Sequence, residues 1–185
     1  MPNEGLPVQD ETKKANRKLY NRSLVLTIIT AAVLALFMRA FVLEIIVVDG
    51  PSMEPTLYTG ERVFVEKLSY VFGKPKRGDV VVCYFPGYEL PLVKRIMGMP
   101  GDVMEIREGR VYVNGILLDD ITDSHRNGLR PHDMPPKEVP PNHIFVMGDH
   151  RDNSLDSCDL GTVPFDYIHG KCLMVVWPLT KYQLL

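Results

Sequence analysis

Two side chains in this sequence have the types needed for acyl-transfer chemistry. Ser52 lies in a proline-bracketed stretch, Gly-Pro-Ser-Met-Glu-Pro (residues 50–55). Lys94 lies in "LPLVKRIMG", where a strand puts Leu92, Lys94 and Ile96 on one face and Val93, Arg95 and Met97 on the other. Both faces are mostly apolar, so the pattern points to a lysine partly withdrawn from water. Desolvation disfavours the ammonium and frees a neutral amine, which is able to take a proton from a serine hydroxyl. Pattern alone leaves both residues open. An edge-strand lysine whose stem packs while its head reaches water has the same spacing. Ser52 also reads as an ordinary turn serine, since Glu54 and Pro55 at the second and third following positions make no capping box.

A third polar group follows an apolar stretch. "MGDHRDNSLDS" gathers Asp149, Arg151, Asp152, Asn153, Ser154 and Asp156 within residues 149–156. A calcium loop needs acidic residues at alternate positions, a glycine at the sixth and a late glutamate, and no register here supplies them. A hydrogen-bonded Asx loop that braces something nearby fits better. His150 leaves a Ser-His-Asp arrangement with Ser52 open. His125 and His132 have no metal-ligand spacing.

The elements that position these residues show in the periodicity. Short runs rich in Val and Ile, among them "ERVFVEK", "GDVVVCYF", "DVMEIR", "HIFVMGD" and "KCLMVVWP", are bounded by Gly, Pro, Asp and charged residues. "RVYVNGILL" places Asn114-Gly115 between apolar pairs, a type I′ hairpin signal. After residue 50 there is no long amphipathic helix pattern. The expected fold is mainly β, an antiparallel sheet or barrel. Residues 119–142 hold prolines and polar side chains without an apolar period and read as a long polar loop within that domain.

The N-terminal third differs. From Leu24 to Met38 no residue is charged, and Leu24–Leu43 as a helix measures about 30 Å, the thickness of a bilayer core. Arg39 near its end is able to snorkel. Lys13, Lys14, Arg17, Lys18 and Arg22 precede this stretch, and the first basic residue after Arg39 is Arg62. The positive-inside rule then makes 1–22 a cytoplasmic tail, 23–43 a single retained transmembrane helix, and 44–185 an extracytoplasmic domain. A cleaved signal peptide needs a small-x-small site, which "EIIVVDG" does not offer.

Composition sets outer limits. The 185-residue chain suits one globular domain plus an anchor. Its net charge of -2 gives no reason to expect nucleic acid as a partner. Cys83, Cys158 and Cys172 are scattered without a CxxC, which argues against a zinc ribbon or redox pair.

Four motifs in order, "PSMEPTL", "RGDVVV", "KRIMGMPGD" and "GDHRDNSLDS", follow one apolar span. In this the chain resembles the bacterial type I signal peptidases, membrane-bound serine proteases that release exported preproteins from their signal peptides. The resemblance runs from about Leu24 to Trp177. It implies an all-β catalytic fold, with Ser52 as nucleophile and Lys94 as base. Ser154 would orient the lysine amine, Asp149 and Arg95 would pair beside the site, Asp156 would add structural hydrogen bonds or charge, and Met53 would line the substrate cleft. It implies cleavage after small residues at the lipid surface of the cell membrane, exported preproteins and the bilayer as partners, and no metal or organic cofactor. There are two departures. Gly50 stands where many relatives carry a serine that helps fill the oxyanion hole, and Cys158 stands where an arginine usually follows "DS". Two rivals are a membrane-anchored β-domain that binds peptides without cutting them, and a self-cleaving Ser/Lys regulator similar to the SOS repressors. The latter carry a DNA-binding domain where this chain has an apolar span.

Overall fold

A computed structural model describes residues 8–118 and 132–185. Helix α1 (Val8–Phe41) lies in one unit, and Val42–Leu185 forms a second. In α1 the side chains of 20–36 are exposed, Leu26, Ile28 and Leu34 among them. Residues 1–7 and the side chains of 37–41, at the end of the expected span, lie outside the described residues. Among the described residues no helix is long and apolar enough to cross a membrane. Leu43, expected to close the span, instead opens a strand: "LEIIV" switches to a period of two and pairs along its length.

The second unit is antiparallel β, as expected, but its sheets stay open and no barrel closes among the described residues. Among the described residues twelve strands form: β1 (Leu43–Val47), β2 (Arg62–Glu66), β3 (Val80–Phe85), β4 (Tyr88–Gly98), β5 (Val103–Arg107), β6 (Arg110–Val113), β7 (Ile116–Leu117), β8 (Met134–Glu138), β9 (His143–Met147), β10 (Val163–Pro164), β11 (Ile168–Trp177) and β12 (Gln183–Leu184). The larger sheet runs β1-β2-β11-β3-β4-β9-β10, with β12 added to β11. The smaller runs β7-β6-β5-β8. Strand β3 is central and opens with three consecutive Val, and five of its six residues are buried. Beyond residue 50 the α-helices are single turns, α2 (Ser69–Phe72) and α3 (Ser157–Leu160).

The hairpin between β6 and β7 turns through Asn114 and Gly115, both at positive φ (54° and 78°), the conformation a type I′ turn requires. The polar loop expected over 119–142 needs correction. Residues 119–131, His125 included, lie outside the described residues, but Met134–Glu138 is a strand that pairs with β5. Pro135 and Pro136 hid it from the periodicity. Proline is tolerated there because β8 is an edge strand, with no second neighbour needing its N–H groups. His132 is exposed just before it.

Three elements converge on the chemistry. The β1–β2 connection carries Ser52. Strand β4, held between β3 and β9, carries Lys94 and Arg95, with Lys94 opposite Val81 and Arg95 opposite both Val80 and Met147. The segment after β9 carries Asp149, Ser154 and Asp156. Apolar clusters pack on both sides of β4: Ile96 joins Val81, Cys83 and Val146, and Met97 joins Met104, Phe145 and Met147.

Candidate active site

The nucleophile turn is closed by its own backbone. Glu54 N–H donates to Pro51 O and Leu57 N–H to Met53 O. Within it the structure brings Ser52 and Lys94 together: Lys94 Nζ lies 2.6 Å from Ser52 Oγ, although the residues are 42 positions apart. Ser52 is half-buried, while Lys94 is 2% exposed between its apolar neighbours on β4. Burial pushes the Lys94 pKa below its ordinary value. The nearby Asp156, Cys83 and Asp149 act in the opposite direction and do not cancel it. An amine so placed is poised to exist neutral and to accept the serine proton.

The loop after β9 holds the nucleophile turn from the other side. His150 N–H donates to Ser52 O, and its ring Nδ1 lies 3.2 Å from Pro51 O. The ring's Nε2 meets Asp152 at 3.3 Å. His150 therefore grips the backbone around Ser52, and its two ring nitrogens are engaged with groups other than the hydroxyl. Gly148 sits so close that a Cβ there would come within 2.4 Å of Ser52 O and 2.2 Å of Ser154 Oγ. Only a glycine allows the two segments to approach this far.

Arg95 and Asp149 meet as a buried pair, Nη2 to Oδ2 at 2.7 Å with Nε to Oδ1 at 2.9 Å. Arg95 also donates through Nη1 to Gly78 O. Thr56 completes this cluster, donating from Oγ1 to Asp149 Oδ2 at 2.6 Å. Sequence alone gives no reason to single out Thr56, since a threonine between Pro and Leu reads as part of a turn.

Ser154 donates from Oγ to Asp156 Oδ2 at 2.8 Å. Asp156 also accepts from Gly148 N–H through Oδ2 and from Cys158 N–H through Oδ1. It caps α3 reciprocally with Asp159 at the third helical position. Gly50 sits at φ +91°, and a Cβ there would meet nothing within 4 Å. Met53 is the residue that the resemblance puts in the substrate cleft. It is 1% exposed and packs in the core with Val48, Leu57, Val63 and Val65, because the turn directs it inward as Ser52 faces the lysine. Among the described residues no group of three or more His, Cys, Asp or Glu is arranged to hold a metal ion. Among the described residues Cys83, Cys158 and Cys172 form no disulfide, and burial pushes the Cys83 and Cys172 thiols up to about 12.

Residues 21–177 match the family model described as signal peptidase, peptidase S26. The chain belongs to this family. A probable signal peptidase I-2 from Synechocystis is 35% identical over 96% of this chain and 84% of that protein. A signal peptidase I from Bacillus licheniformis is 36% identical over 94% and 97%, and signal peptidase I S from Bacillus subtilis 39% over 84% and 89%. Among solved structures, a signal peptidase I from Enterococcus faecalis V583 is 28% identical, with a TM-score of 0.44, over 53% of this chain and 96% of that one. As a signal peptidase family member the chain is a serine endopeptidase, a hydrolase of peptide bonds.

Proposed function

We propose that this signal peptidase is anchored in the membrane by the apolar stretch of α1 and cleaves exported preproteins after small residues, with Ser52 as nucleophile and Lys94 as base. The observation that carries the reading is the 2.6 Å approach of a buried, pKa-depressed amine to a serine hydroxyl. Ser52 Oγ attacks the scissile carbonyl as neutral Lys94 takes its proton. The resulting ammonium hands that proton to the departing amine, and an acyl-enzyme remains. Water then enters, Lys94 takes its proton in turn, and the ester is hydrolysed. Backbone donors near Ser52 hold the developing oxyanion. The hydroxyl of Ser154, tied to Asp156, belongs to the scaffold that orients the amine.

Anchoring follows from the same chain. The stretch from Leu24 to Met38 is uncharged, and the basic residues that precede it favour a cytoplasmic N-terminus with the β-domain outside. Ser52 comes eleven residues after Phe41, where α1 ends, at most about 40 Å even if fully extended. The nucleophile is thereby kept close to the bilayer face where a signal peptide's apolar segment ends.

The deciding experiment is processing of a synthetic preprotein in detergent by the wild type, S52A and K94A. Both variants should leave the preprotein uncut. Full activity in K94A would remove the lysine from the mechanism. Protease digestion of sealed vesicles tests the orientation: the β-domain should be cut only when the protease is on the extracytoplasmic side.

A further inference from the structure

Thr56 lies four residues after Ser52, on the same turn. It is 4% exposed. Its hydroxyl donates to Asp149 Oδ2 at 2.6 Å and accepts from Arg95 Nη2 at 3.3 Å. These contacts reach the two other segments that build the site. Arg95 adjoins Lys94 on β4, with its guanidinium fixed by Asp149 and Gly78 O. Asp149 adjoins His150, whose N–H holds Ser52 O. The one hydroxyl therefore ties together the turn that carries the nucleophile, the strand that carries the base and the loop that grips the nucleophile's carbonyl.

A cavity of about 280 Å³ lies behind this junction, lined by Pro55, Thr56, Tyr58 and Glu61 on one side and Lys181 and Tyr182 on the other. Thr56 stands between it and the buried Arg95–Asp149 pair. Without the hydroxyl the turn would lose its side-chain hydrogen bonds to Asp149 and Arg95.

We propose that Thr56 is a positioning residue of the peptidase: its hydroxyl, bridged to Asp149 and Arg95, sets the separation between Ser52 and Lys94. This rests on the Ser52–Lys94 reading above. Misplacing a reacting group by about 1 Å is able to cost roughly a hundredfold in rate, so the loss should fall on kcat rather than on substrate binding.

The test compares T56V, T56S and the wild type on a preprotein in detergent, with S52A and K94A in the same assay. Folding is followed by thermal unfolding, and rates are read well below each protein's transition. T56V should lose roughly tenfold to a hundredfold in kcat with KM within about twofold, by that same sensitivity to placement. T56S, which keeps the hydroxyl, should recover most of it. The rising limb of the pH–rate profile should also shift in T56V as the contact between Ser52 and Lys94 loosens. The groups that face that amine are Ser52 on the turn, Cys83 on β3, and Asp149 and Asp156 on the loop after β9. A T56V protein that unfolds more easily but keeps wild-type kcat and an unmoved limb would overturn the proposal, as would equal losses in T56V and T56S. If S52A or K94A retained activity, the fault would lie with the Ser52–Lys94 reading instead.

Discussion

Lys94 Nζ lies 2.6 Å from Ser52 Oγ, with the lysine stem enclosed by β-sheet and only the hydroxyl side half-open. Proximity and dryness come from one source. Strand β4 lies between β3 and β9, so from Lys94 to Met97 its side chains are buried on both faces, and the nucleophile turn is closed over the amine by the loop after β9.

The first prediction concerns pH. The folded Lys94 pKa is below its ordinary value of 10.5, and burial is the main cause. Between the folded pKa and 10.5 the unfolded chain binds more protons at this site than the folded one. Stability therefore rises with pH through that window, and the full cost is present below the folded pKa. K94M should remove this slope and be at least as stable as the wild type at neutral pH while cutting nothing. Denaturant unfolding across the alkaline range measures both slopes, and parallel slopes would contradict the burial of a neutral amine. By the same titration, kcat/KM of the wild type should rise with pH to a plateau that begins below 10.5.

Arg95 and Asp149 give the second. Both are buried, so removing one partner leaves the other's charge uncompensated, which costs about 3–5 kcal/mol. R95M should lose stability on that scale by urea unfolding. Replacing both in R95M/D149L should restore much of it, since a well-packed apolar pair needs no charge compensation.

How far the sequence reached can be argued from particular residues. Strand β3 and the Asn114-Gly115 hairpin are local events, set by period and turn chemistry, and both read directly. Strand β8 does not, because its two prolines are tolerated only by virtue of an edge position that tertiary pairing creates. Met53 is similar: side-chain direction within a turn follows no period, so its burial comes from the fold. Lys94's apolar flanks were legible as a sign of desolvation. Its meeting with Ser52 was not, since nothing local links positions 42 apart, and that juxtaposition entered only as an implication of the family resemblance. The hydroxyl of Thr56 and the backbone grip of His150 are long-range hydrogen bonds with no signature in composition or spacing.

Gly50 gives the third prediction. Its φ of +91° lies in the left-handed region, yet the space around a Cβ is open. The penalty for a side chain is then purely backbone, about 1–2 kcal/mol. G50A and G50S should destabilise by similar amounts in that range. If G50A proved neutral in denaturant unfolding, the turn before Ser52 would have to relax at no cost, and the left-handed conformation would not be what requires glycine.

The fourth concerns Asp156, which is 0% exposed and serves two structures at once. One oxygen caps α3 through Cys158 N–H; the other receives Gly148 N–H and the Ser154 hydroxyl beside the nucleophile turn. Losing a helix cap costs about 1 kcal/mol, and each buried donor left without an acceptor adds about 1–3 kcal/mol. D156A should therefore destabilise by about 3 kcal/mol or more, beyond what a cap alone explains. D156N keeps one of the two acceptor oxygens, enough for the cap or for Gly148 N–H but not for both, and should lose less stability than D156A. The two variants should also separate in activity. Ser154 Oγ lies 2.8 Å from Asp156 Oδ2, and Gly148 packs against both Ser154 Oγ and Ser52 O, so freeing this corner lets the serine turn shift. A D156A enzyme measured while fully folded should be slower than D156N in kcat. A D156A protein as stable as the wild type would show that neither the cap nor the Gly148 and Ser154 donors depend on this carboxylate.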